Sequence, residues 1–228
     1  FYIAHGGYMF KKSLLAISLL TLSSSIAFAA TPTAKLKVSG DIQPPTCTIN
    51  GETSETTVEY TFAVTPGLFP AKGDLTLEPQ SKNIVVTCDA KTYLAFTPTD
   101  NRAGTEKKEG DSYFGLGSYK MAVDGKEAVD TKVGYYTVSM KNATVKEDLT
   151  SEEKKVYVMD SRYGRSTSKT LVKNDSLGWA RSNANDYADG QVFAADFEVT
   201  PTINSALKNS DGDAKLDGLA TLTFQFGI

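Results

Sequence analysis

Apolar and polar residues alternate with a period of two along most of this chain. Ala34, Leu36 and Val38 alternate with Lys35, Lys37 and Ser39, and Val58, Tyr60 and Phe62 alternate with Thr57, Glu59 and Thr61. "NIVVTC" places Ile84, Val86 and Cys88 on one face, and "TYLAFT" follows after a short turn. "GYYTVSM", "KKVYVM", "QVFAADFEVTPTI" and "LATLTFQF" continue the same rhythm, rich in β-branched and aromatic residues. That rhythm puts successive side chains on opposite faces of a strand, so each run predicts a half-buried β-strand. Turn-rich pieces such as "TPTDNRAGTEKKEGDS" and "NSDGD" separate the runs. Sustained helical periodicity is confined to the first thirty residues, and the pattern predicts an all-β antiparallel sandwich.

Those first residues predict export. From Met9 the chain reads "MFKKSLLAISLLTLSSSIAFAATPTA". Lys11 and Lys12 form a basic head, Ser13 to Leu22 an apolar stretch, and Ala27-Phe28-Ala29 a small-x-small cleavage pattern, the layout of a secretory signal peptide. The apolar stretch falls short of the roughly 20 residues a membrane-crossing helix requires. Residues 1–8 are accordingly an upstream non-structural segment, 9–29 the signal peptide, and 30–228 a single β-sandwich domain. The expected location is the periplasm in transit, then the cell surface or the medium.

Export changes the inventory. The sole histidine, His5, lies ahead of the cleavage point. Without Lys11 and Lys12 the 24 Lys+Arg become 22, against 27 Asp+Glu, a formal charge of −5. An acidic chain lacks the basic face that nucleic acid requires, so no nucleic-acid partner is expected. Two cysteines in an oxidising compartment imply one disulfide, Cys47–Cys88. Closing a loop of that length stabilises the fold by roughly 4 kcal/mol in the chain-entropy description. A free reactive pair is the rival reading. Neither cysteine belongs to a C-x-x-C motif, however, and no histidine remains to lower a thiol pKa.

Five segments in order carry a resemblance: "ATPTAKLKVSGDIQPPTCT", "VVTCDAKTYLAFTPTDNRAGT", "YFGLG", "KVGYYTVSM" and the terminal "LDGLATLTFQFGI". Together they resemble a bacterial secreted family attached to beta-fimbriae, a domain family of unknown function that is similar to chaperone–usher pilin subunits. Gly40, Ile42, Cys47 and Cys88 look like the start of a pilin domain. The resemblance implies an immunoglobulin-like sandwich that lacks its last strand. A periplasmic pilus chaperone fills the open edge first, and other fimbrial subunits fill it after passage through an outer-membrane usher. Such an edge accepts an added strand because its backbone groups are unpaired. The implied groove strand carries Leu216, Gly218, Ala220, Leu222, Phe224, Phe226 and Ile228 on one side, with Gly218 and Ala220 small enough for an incoming strand to approach. The implied donor, or first strand, carries Pro32, Ala34, Leu36 and Val38. If that strand begins near Leu36, the free length is Ala30 to Lys35, about 20 Å. The chain also ends Phe226-Gly227-Ile228, where pilins usually carry a penultimate tyrosine.

Catalytic chemistry has little material. Without histidine, Ser–His–Asp and Cys–His systems are absent and zinc loses its commonest catalytic ligand. Carboxylates are numerous enough for a paired-acid glycosidase, yet no short segment singles out a pair. Asn209, Asp211 and Asp213 resemble the start of a calcium loop, but Ala214 and Ala220 stand where an EF-hand needs Gly and Glu, so a polar turn is expected. "FGLGS" is too sparse in glycine for a phosphate loop, and Asp100-Asn101-Arg102 reads as turn chemistry with a local ion pair. Arg162, Tyr163, Arg165 and Lys169, with Trp179 nearby in sequence, are aromatic and basic residues suited to a host glycan or surface receptor, but the plainer reading is a Trp that fills the core and a solvated loop. No catalytic residue, cofactor or metal is therefore assigned. The resemblance implies a fimbrial subunit or subunit-like structural protein, assembled by strand donation and contributing to surface adhesion. The alternative is a self-complete sandwich or tip adhesin that binds carbohydrate without polymerising.

Overall fold

The computed structural model describes residues 33–41, 43–122, 127–182, 185–210 and 214–227. The chain divides into two units, Phe1–Asp41 and Ile42–Ile228. In the first, residues 33–41 hold no strand, and Leu36 and Val38 are 95% and 97% exposed. The strand predicted at Ala34–Val38 is therefore absent. Its alternation is compatible with a sheet, but no partner ladder among the described residues supplies the hydrogen bonds. Pro32 lies outside the described residues.

The second unit is antiparallel throughout its named ladders. Its strands are β1 (Cys47–Ile49), β2 (Leu75–Thr76), β3 (Gln80–Asp100), β4 (Phe114–Gly115), β5 (Ser118–Met121), β6 (Val129–Lys132) and β7 (Gly134–Lys146). They continue as β8 (Lys154–Lys155), β9 (Tyr157–Asp160), β10 (Arg165–Ser166), β11 (Ser168–Thr170), β12 (Leu177–Ala180), β13 (Asp189–Ile203) and β14 (Ala220–Gly227). Short 3₁₀ turns occupy Pro66–Leu68 and Ser205–Asn209. The main sheet runs β10-β9-β12-β3-β13-β7-β11, with β1 and β14 on β3, β2 on β13, and β4 and β8 on β7. β10 and β11 stand at opposite ends of this order although Thr167 alone separates them in the chain. The sheet therefore curls back on itself into an all-β sandwich, and β5–β6 form a separate two-stranded sheet.

β3 explains much of the curl. "NIVVTC" and "TYLAFT" are one strand of 21 residues, with no turn between them. Asp89-Ala90-Lys91 offers neither Gly nor Pro, and even-numbered positions stay buried on both sides of it, from Ile84 to Asp100. Opposite this stretch the register slips, Gly190 facing Thr92 while Val192 faces Thr87. The extra β3 residues bend the strand, as bulges do. Its first half pairs with β13 and β1, and its second half, which β13 follows only as far as Tyr93, pairs with β12 and β14.

Phe96 centres the core. Its ring lies 6.1 Å from Trp179, 5.5 Å from Phe197 and 5.6 Å from Phe224, and Trp179 meets Phe193 edge-on at 5.7 Å. Full burial of each such side chain contributes roughly 1.5–3 kcal/mol. Cys47 and Cys88 face each other directly across β1 and β3, and the disulfide is formed.

Candidate functional site

β14 pairs with β3 along its whole length, Ala220 opposite Asp100 and Gly227 opposite Tyr93. Among the described residues it has no second ladder partner, so its outer edge is open. Ala220, Leu222 and Phe224 turn toward the core but reach only half-burial, and Phe226 remains 37% exposed. Thr221, Thr223 and Gln225 occupy the exposed face. The predicted strand extended to Leu216; the observed one begins at Ala220. Leu216 and Gly218 instead pack before it. Asp217 N donates to Leu116 O at 3.1 Å, and a Cβ on Gly218 would come within 2.8 Å of the Tyr136 ring and 3.0 Å of Leu116. The lack of a side chain at Gly218 thus accommodates the protein's own Tyr136. Ile228 lies outside the described residues.

A second apolar row flanks the same core. The strand predicted around Val58, Tyr60 and Phe62 is absent, although its alternation survives: Val58, Tyr60, Phe62 and Val64 are half-buried against the core, and Thr57, Glu59, Thr61 and Ala63 are exposed. Residues 53–64 make no backbone–backbone hydrogen bond among the described residues. Side chains hold the segment instead. Tyr60 Oη donates to Phe197 O at 2.7 Å, and Gln80 Nε2 donates to Thr61 O at 2.7 Å. Burial, with the Asp196 charge adding to it, pushes the Tyr60 hydroxyl up to about 12. Tyr60 reaches the Phe197 backbone, and the Phe197 ring packs on Phe96 and Phe96 on Phe224, so both incompletely covered rows adjoin the Phe96 cluster.

The segments "DNRAGT" and "YFGLG" meet where β14 begins. Asp100, buried, accepts from Arg102 N at 2.9 Å and from Gly115 N at 3.0 Å. Thr105 Oγ1 donates to Arg102 O at 2.7 Å and accepts from Gly117 N at 3.0 Å. A Cβ on Gly115 would lie 2.2 Å from Arg102 O, which requires glycine there. Arg102 reaches across to Asp217, Nε and Nη2 each donating to one carboxylate oxygen at 2.9 Å. Asn101 N donates to Leu219 O, and Thr221 Oγ1 donates to Asn101 Oδ1, both at 2.9 Å. Hydrogen bonds from Arg102 hold the Asp217 carboxyl below the usual carboxylate range. At the far end, Thr92 Oγ1 donates to Gly227 O. β14 is therefore pinned at both ends while its outer edge stays open. The expected local ion pair at Arg102 is instead a fork to a residue 115 positions away.

The remaining candidates disperse. Trp179 is fully buried and its indole donates to Ala194 O at 2.8 Å, so it does not join Arg162, Tyr163, Arg165 and Lys169 on the surface. Asn209 closes a 3₁₀ turn; Asp211 and Asp213 lie outside the described residues. No group of three or more metal-ligating side chains occurs among the described residues. Nor is any described helix long and apolar enough to cross a membrane. No family model matches this chain, and no curated protein matches it.

Proposed function

We propose that this chain is an exported fimbrial subunit, or a subunit-like structural protein, assembled by donor-strand complementation and contributing to surface adhesion. The carrying observation is the open outer edge of β14, together with a half-buried row on the same core, Val58 to Val64, whose backbone also lacks a ladder among the described residues. An incoming strand supplies what both lack: backbone donors and acceptors for the edges, and alternate apolar side chains for the core. Residues 33–41 have the complementary form. They hold no strand, and Ala34, Leu36 and Val38 are exposed on alternate positions. Extended, these nine residues reach about 30 Å, against about 26 Å for the eight of β14. Because the first observed strand begins at Cys47, the lending segment is longer than a strand start near Leu36 allows. In this reading the segment of one copy fills the groove of another, a periplasmic chaperone occupies the groove beforehand, and an usher exchanges the two.

Hydrogen–deuterium exchange on the full chain tests this with a synthetic peptide covering residues 33–41. The peptide is expected to slow exchange across residues 55–64 and 220–227 together. Unchanged exchange in both segments, or outer-edge amides of β14 already protected in the lone chain, overturns the reading.

A further inference from the structure

Where the sheet closes on itself, the turn after β9 and the strands β10 and β11 border a cleft of about 400 Å³. That volume is in the range of small-molecule sites. Asp160 forms a fixed acceptor within it. Its Oδ1 accepts from Arg162 N and Gly164 N at 3.1 Å each, and its Oδ2 accepts from Lys169 Nζ at 2.6 Å. Burial pushes this carboxyl up, but the hydrogen bonds from Lys169 and Gly164 outweigh it and keep the group below the usual range. Charge in the cleft balances, Arg162 and Lys169 against Asp160 and Asp175.

Hydroxyls provide the rest of the polar lining. Ser166, Ser168 and Thr170 face the cleft, and the Ser168 hydroxyl makes no hydrogen bond among the described residues. Leu177, buried, contributes apolar surface to the same wall. Beside Arg162 stands Tyr163, 60% exposed and at φ 58°, a left-handed conformation uncommon for a bulky side chain. The turn's own hydrogen bond, Tyr163 N to Asp160 O at 2.9 Å, holds it there. Strained turns of this kind cluster at binding sites. Apolar surface from Val172 and Leu177, fixed donors and acceptors, and no net charge in the lining together match a ring with several hydroxyls and one apolar face.

We propose that this cleft binds a neutral saccharide, one ring lying among Asp160, Lys169 and Ser168. The site is independent of strand lending. It uses neither the outer edge of β14 nor residues 33–41.

The test is a nuclear magnetic resonance titration of the full chain. Methyl mannoside, methyl galactoside and N-acetylglucosamine serve as neutral probes, with N-acetylneuraminic acid and inorganic phosphate as anionic ones. At least one neutral probe is expected to shift the amides of Gly164, Ser166 and Ser168. Ser168→Ala and Arg162→Ala change exposed side chains, so the melting temperature stays while binding weakens about tenfold, as loss of a hydrogen bond to a polar or charged group implies. No shift with any neutral probe, shifts by the anions alone, or undiminished binding by both variants overturns the proposal.

Discussion

β13 and β14 have similar sequences and different surroundings. Both alternate aromatic or β-branched residues with small and polar ones, and both are antiparallel to β3. β13 has β7 on its other side, and its inward residues are closed off: Phe193 is fully buried and Phe197 nearly so. Among the described residues β14 has no ladder partner on its other side, and no inward residue along it is fully buried. A period-2 pattern decides which face of a strand meets the core. Coverage of that face, and of the strand's edge, is decided by neighbours that the local pattern does not encode. The difference separates a strand that stabilises the domain from one available to bind.

The largest effect separates these two roles directly. Phe197→Ala empties a closed site at the Phe96 cluster and is expected to cost about 3–5 kcal/mol in a urea titration of the isolated chain. Phe226→Ala removes a ring already in contact with water, for under about 1 kcal/mol, yet weakens capture of the 33–41 peptide. If Phe226→Ala proves as damaging as Phe197→Ala in the lone chain, β14 is not an incompletely covered strand, and the contrast collapses.

The second effect concerns how β3 serves both strands. Cys88 sits at the register slip of β3 against β13, and its bond to Cys47 ties β1 to that bend. Cys88→Ala is expected to destabilise the domain by about 2–5 kcal/mol. The loss should be read by thermal melting with and without reductant. A reductant-insensitive melting temperature in the parent chain counts against a structural bridge.

The fold class was legible because alternation is a local signal, as β7, β13 and β14 illustrate. The disulfide was legible because two cysteines leave one pairing. Ladder membership was not legible. Residues 34–38 and 57–62 carry the same alternation as β14 but form no strand, since a ladder needs a partner distant in the chain. Fusion of "NIVVTC" and "TYLAFT" into β3 was signalled only weakly, by the lack of Gly or Pro at 89–91. Within the site, the inward face of residues 220–226 was readable. The roles of Gly218 and Arg102 were not, because Tyr136 and Asp217 reach them through the fold.

The smallest effect asks whether the start of β14 is held by charge. Asp217 has a depressed pKa in the folded chain, caused first by the hydrogen bonds from Arg102. A depressed carboxyl contributes its full stability above its unfolded pKa, near pH 4, and loses it as pH falls through the lower folded value. Asp217→Asn has no such titration. The urea-midpoint difference between parent and variant should therefore be constant near neutrality and shrink below about pH 4. Because both partners are substantially exposed, added salt should shrink it as well. No difference between parent and variant at neutral pH and low salt means that Asn101, through Leu219 and Thr221, anchors the strand alone. The open edge would then owe its position to hydrogen bonds, and β14 would keep its register at any pH at which the core survives.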